Sequence, residues 1–403
     1  MKRNAVGAIG AQGAQALGSF VLQILVVRLL GLEGLGTFSI LYGVLVLVAG
    51  ILTGFVGDSL VVLDRRETAV RSALQQSAIG LSLVAGIVSA IVLRVTGLIT
   101  WPQAVWFAVA VILFGLEELM RRLLMANVLF WRVAAIDLSA FLGSLAVVGM
   151  GALLHRIDLD LFLIAIALGQ VVAILLGVVL LPRAERFLAG FVRGEYRLVA
   201  AYGLWRSAQQ FLRPGLLTGV RSLVTIFVGL AATGLLETAR VYVAPAMLII
   251  SGLTSFLFVS YARNKAAGVT SQLRRADRSV GTLLGITTLM SVVFLVALPF
   301  VGPLLFGTTP QLLAVIGWLA YAASVSAVTP YGALAAVGGR QAFVFAIRVS
   351  DTLLSIIAVA VILALGLQPS LAPIALSIGS IAGGLAIRAF ILKPEAQREQ
   401  SSL

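Results

Sequence analysis

The feature that most constrains this chain is a series of long apolar runs whose polar gaps are too short to build anything outside a bilayer. A helix crossing the hydrocarbon core needs about 20 mostly apolar residues, and it keeps its backbone polar groups paired within itself. Twelve such runs fit. In the first half they are Val6 to Leu30, Thr37 to Leu63, Ser72 to Val95, Ala104 to Asn127, Val133 to Leu154 and Asp160 to Leu181. In the second half they are Ala200 to Leu230, Leu235 to Ser260, Val280 to Val301, Gln311 to Leu334, Ala342 to Leu365 and Leu371 to Leu392. With 60% apolar and 11% charged residues and a mean hydropathy of +1.09, a soluble domain is excluded. The expected fold class is an all-α polytopic membrane protein of about 12 transmembrane helices.

The formal charge of +13 points to topology rather than to nucleic acid, because the basic residues occupy alternate gaps. Arg65, Arg66, Arg71, Arg121, Arg122, Arg132, Arg183, Arg186, Arg193, Arg197, Arg274, Arg275 and Arg278 fall on one side, and Arg28, Arg94, Arg156 and Arg240 on the other. The positive-inside rule then places both termini in the cytoplasm. Lys2 and Arg3 lead into a first span without a clear cleavage site, so that span is expected to remain as an anchor.

Absent cysteine excludes disulfides and thiolate metal sites, and a single histidine, His155, excludes a histidine metal cluster. No phosphate-binding glycine loop, zinc-protease motif or serine nucleophile elbow occurs. Neither catalytic residues nor a metal or organic cofactor are therefore expected, and ATP-driven transport by this chain alone is disfavoured.

The longest polar gap within the first ten spans, Pro182 to Val199, divides the chain near its middle. The expected organisation is a six-helix lobe at residues 1–182, a cytoplasmic linker at 183–199, a second lobe at 200–392 and a cytoplasmic tail at 393–403. Weak internal similarity supports two lobes. Gly31-Leu32-Glu33-Gly34-Leu35-Gly36 follows span one as Gly229-Leu230-Ala231-Ala232-Thr233-Gly234 follows span seven, Arg71-Ser72 matches Arg278-Ser279, and Asp137 matches Asp351. Six spans per half would give a parallel repeat about the membrane normal.

Span seven carries the strongest chemical signal. At about 100° per residue, Arg206, Gln210, Arg213 and Arg221 fall within an arc of roughly 80°. Arginine at a helix centre costs about 2.5–3.5 kcal/mol, so this face calls for a hydrated cavity or an anion. Arg206 and Arg221 have the alternative of snorkelling to the two surfaces, whereas Arg213 lies too near the middle. Pro214 and Gly215 are expected to kink the helix there. Span one has a second polar face, formed by Gln12, Gln15, Ser19 and Gln23, suited equally to a cavity wall or to bonding between helices.

The acids Asp58, Glu117, Glu118, Asp137, Glu237 and Asp351 lie in or near spans, where any of them could bind a coupling proton or sodium ion. Glu237 with Arg240 and Arg348 with Asp351 have the spacing of helical ion pairs, and Glu117 and Glu118 adjoin Arg121 and Arg122. Asp58 has no obvious local partner and is the better coupling candidate, with Glu237 and Asp351 behind it.

The segments Arg28-Leu29-Leu30-Gly31-Leu32-Glu33-Gly34-Leu35-Gly36-Thr37-Phe38, Leu304-Leu305-Phe306-Gly307 and Pro330-Tyr331-Gly332-Ala333-Leu334-Ala335-Ala336-Val337-Gly338-Gly339-Arg340 carry a resemblance. With the helix count and the span-seven charge, the chain resembles the Wzx-like polysaccharide flippases of the multidrug/oligosaccharidyl-lipid/polysaccharide (MOP) superfamily. That resemblance implies two MATE-like six-helix lobes around a central cationic cavity, in a bacterial cytoplasmic membrane. It further implies alternating access that turns a polyprenyl-pyrophosphate-linked oligosaccharide to the outer leaflet, alongside polysaccharide-assembly proteins. Arginine forks suit pyrophosphate, and the glutamines suit sugar. The alternatives are a MATE-like cation-coupled drug or metabolite antiporter, and a polyprenyl-dependent glycosyltransferase or polymerase, which the tiny outer loops disfavour.

Overall fold

The computed structural model describes residues 2–186, 192–263 and 268–401, and these contain helices and no strand. The first half holds α1 (Lys2–Leu52), a π-helical turn at Thr53–Gly57, α2 (Asp58–Val62), α3 (Thr68–Val95), α4 (Trp101–Ala126), α5 (Phe130–Leu153) and α6 (Leu159–Leu180). A 3-10 turn at Arg183–Glu185 follows. Next come α7 (Tyr196–Phe227), α8 (Leu230–Arg263), α9 (Val269–Phe306), α10 (Leu312–Val337) and α11 (Gln341–Ala364). The chain closes with a 3-10 turn at Pro369–Leu371, α12 (Ala372–Ile387), a second π-helical turn at Arg388–Leu392 and α13 (Lys393–Ser401).

Among the described residues, 10 helices are long and apolar enough to cross a membrane, against the twelve spans expected. The difference has two physical sources. Spans one and two form one continuous helical stretch, α1 running on through the π-helical turn into α2, and α1 is interrupted at Gly31, where φ is 72° and only glycine is unstrained. Gly229, the matching glycine after α7, also has a positive φ, of 118°, so both expected turns are real. The second source is α7, whose arginines and glutamines make it too polar to qualify. Pro214, the expected kink position, lies inside this single helix.

The chain separates into two compact units, Met1–Thr218 and Gly219–Leu403, with the division inside α7. The first is organised on a core that includes Leu60, Leu74, Leu119, Leu124, Val133 and Ile136, where α3, α4, α5 and α6 meet α1. The second has its own core, including Tyr261, Leu273, Tyr331, Ile387 and Leu392. Large apolar side chains such as Val84, Ile87, Val88 and Ile91 of α3 stay exposed, as lipid-facing positions require.

The expected linker at 183–199 is bound to the first unit over its described part. Glu185 accepts hydrogen bonds from Arg65 at 3.0 Å, Arg71 at 3.1 Å and Asn127 at 3.3 Å, while Ser72 donates to the Val192 carbonyl at 2.7 Å. Burial works against ionisation of Glu185, but the hydrogen bonds from Arg65 and Asn127, with the charges of Arg65 and Arg71, outweigh it and hold its carboxyl below the usual range. A depressed folded-state value stabilises the protein above the ordinary carboxylate pKa, and this contribution is lost as pH falls through the folded value. The variant Glu185→Gln is therefore expected to melt below the wild type at neutral pH. The gap between their melting temperatures should close on acidification.

Candidate functional site

Inside the first unit, α4 places Glu117, Glu118, Arg121 and Arg122 within one and a half turns, so that Arg121 reaches α1 and α5 while Glu118 and Arg122 reach Thr53 in the π-helical turn. Arg121 is the hub. It donates to Glu118 at 2.7 Å, to both oxygens of Asp137 on α5 at 2.7 and 3.2 Å, and to Gln15 on α1 at 3.1 Å. Glu117 lies 3.6 Å from the same guanidinium, beyond a good hydrogen bond. Arg122 takes the other oxygen of Glu118 at 2.6 Å and also donates to Thr53, which opens the π-helical turn. Single-turn π segments concentrate at functional sites.

The cluster brings three carboxyl groups to two guanidiniums, so with every member ionised it would carry one negative charge in excess. Glu117, Glu118, Arg121 and Asp137 are all at most 6% exposed, so water cannot absorb that excess, and an uncompensated buried charge is costly. Glu117 is the member farthest from a guanidinium. Beside it lies a cavity of about 60 Å³, lined among others by Gln15, Ser19, Tyr42, Glu117, Asp137 and Gln170. Its size suits a proton-bearing water or a small cation. The buried Gln170 Oε1 accepts no hydrogen bond from the described residues.

The polar face of span one is thus partly absorbed into this site. Gln15 and Ser19 line the cavity, Gln23 is buried and donates to the Ser19 carbonyl, and Gln12 is exposed. Gln170 was missed by sequence reasoning, although a lone amide inside the apolar α6 was the available signal. Missed too was a cluster in the second unit, where Asp277 binds Arg388 at 3.0 Å and Tyr331 at 2.7 Å.

The α7 arginines do not act as one cationic set. Arg206 pairs with Asp58 at 2.7 Å and with Gln209 at 2.8 Å, so Asp58, which has no local partner in the sequence, has a distant one on α7. Arg221 is buried and paired with Glu237 at 2.9 Å, and Glu237 also takes Arg240 at 2.6 Å. Asp351 is held by Arg348 at 3.0 Å. The two helical pairs read from spacing, Glu237 with Arg240 and Arg348 with Asp351, are present. Gln210 is half-buried, whereas Arg213 is exposed and has no ion pair or side-chain hydrogen bond among the described residues. It is the uncompensated cation of this helix face.

No family model and no curated protein sequence matches the chain. Solved structures do. An inward-facing multidrug resistance MATE family transporter of the MOP superfamily superposes with a TM-score of 0.72 at 14% identity, covering 96% of each chain. The chain has the MATE transporter fold. An outward-facing structure of a MATE family transporter gives a TM-score of 0.64 at 14% identity, covering 99% of this chain and 95% of that one. A MOP superfamily transporter from Pyrococcus furiosus Vc1, described as having a binding pocket of reversed polarity that suggests a different function, gives 0.63 at 14% identity with the same coverage. The carboxylate cluster described above lies in α4 and α5 of this MATE-type fold.

Proposed function

We propose that this chain is an alternating-access membrane transporter driven by a cation, a proton or sodium ion, held at Glu117 and Asp137 of the first unit. The observation that carries this reading is the surplus buried carboxylate beside a water-sized cavity with an unpartnered amide oxygen. A bound cation makes the cluster neutral, and its release recreates a charge that the apolar surroundings disfavour. Solved MATE-type structures in inward- and outward-facing forms supply the kind of two-state scaffold that such a charge can bias.

For the cargo, we favour an anionic polyprenyl-pyrophosphate-linked oligosaccharide moved to the outer leaflet of a bacterial cytoplasmic membrane. Arg206 and Arg221 spend their charge on Asp58 and Glu237, so this proposal rests on Arg213, with Gln210 on the same helix face and the exposed Gln12 of α1 as polar groups for sugar. A charge-assisted hydrogen bond to pyrophosphate is worth enough that Arg213→Ala should lower export roughly tenfold or more. The measurement is surface polysaccharide in cells whose own flippase is deleted, at matched protein levels. Full polysaccharide with the variant would sink the anionic-cargo reading. The competing reading, a cation-coupled drug or metabolite antiporter, is favoured by the MATE structures the chain resembles. It predicts instead that Arg213→Ala leaves export of a cationic dye intact.

A further inference from the structure

At the turn between α3 and α4, in the first unit, Arg94 lies with its guanidinium carbon 5.2 Å from the centre of the Trp101 ring. Arg94 forms no ion pair among the described residues, and its Nε is sealed from solvent without an acceptor. Part of the turn's acceptor capacity is already used, and none of it is directed at Arg94 Nε. Thr96, Gly97 and Leu98 donate their backbone N–H groups to the carbonyls of Val92, Arg94 and Leu93, and Thr100 and Gln103 cap one another. A fixed positive charge is therefore left uncompensated in a cavity of about 460 Å³ lined by Arg94, Gly97, Thr100, Trp101 and Gln103 among others. It sits close to the N-terminal end of α4, which adds positive potential.

Exposed apolar side chains stand on the ends of α3 and α4 that flank this turn. Val95 is 77% exposed, Trp101 62% and Val105 61%. A tryptophan beside an arginine at a helix end marks the level of the lipid headgroups, where a guanidinium can pair with a phosphate oxygen. We propose that the α3–α4 turn is a binding site for a phosphate group, with Arg94 as the anion ligand and Trp101 stacking on it. Val95 at the end of α3 and Val105, one turn after Trp101 on α4, are exposed as lipid-facing positions require, so the source is the phosphodiester of an anionic phospholipid. This site is separate from the carboxylate cluster and does not depend on which cargo is carried.

The test uses the full chain in nanodiscs of phosphatidylcholine doped with phosphatidylglycerol, with retained lipid counted by native mass spectrometry. The expected result is that the wild type retains phosphatidylglycerol about fivefold over phosphatidylcholine. Arg94→Ala should remove that preference and Arg94→Lys keep part of it. Arg156→Ala, which deletes the same charge from the exposed α5–α6 turn, should leave it intact. Equal loss in Arg156→Ala would overturn the proposal by making the preference a general charge effect, as would an unchanged preference in Arg94→Ala. Inorganic phosphate in pure phosphatidylcholine provides the last arm. Saturable binding of it that depends on Arg94, without any phosphatidylglycerol preference, would overturn the lipid source. Melting temperatures of the variants separate loss of binding from loss of fold.

Discussion

Replacing Arg121 with alanine is expected to lower stability by about 3–5 kcal/mol, the usual cost of removing one partner from a buried charge cluster. Arg121 is 3% exposed and is the shared partner of Glu118, Asp137, Glu117 and Gln15. Its removal leaves three carboxylates facing Arg122 alone, on the far side of Glu118. In detergent the variant should be recovered in small amounts and melt early. Because the damage comes from unpaired charge, Arg121→Ala with Asp137→Asn should regain part of the loss, and this non-additivity is the diagnostic readout. Additive losses would mean that Arg121 matters for packing only.

The second large effect is on coupling. Glu117→Gln keeps the shape of the side chain and removes the surplus charge, so the cluster becomes balanced, with two carboxylates against two guanidiniums. The variant should fold at least as stably as the wild type. A site that no longer gains or loses charge cannot bias the two access states differently in the presence of the ion. Gradient-driven transport should fall about tenfold, within the usual range of coupling free energies, while transport without a gradient persists. Asp137→Asn should impair both coupling and stability, since Asp137 also takes two hydrogen bonds from Arg121.

The parts of this protein legible in its sequence are those set by local physics. Hydropathy marked the spans because burial in lipid depends on composition over about 20 residues, and glycine marked the turns at Gly31 and Gly229 because their backbone angles demand it. Three-residue spacing announced Glu237 with Arg240 and Arg348 with Asp351. The pairing of Arg206 with Asp58, 148 residues apart, has no such signature and is set by tertiary packing. For the same reason the α7 arginines look like one cationic face on a helical wheel, yet two of them are neutralised by other helices. The carboxylate site was half legible: its acids and the glutamines of α1 stood out, but the convergence of α1, α4, α5 and α6 on one cavity did not.

The most direct test is transport of a labelled lipid-linked oligosaccharide in proteoliposomes of the purified chain, under imposed proton and sodium gradients. Wild-type flux should rise when at least one gradient is applied, and Glu117→Gln should show only the gradient-free rate. Flux of the wild type that ignores both gradients, or a Glu117→Gln variant that responds to them as the wild type does, would contradict cation coupling at this site.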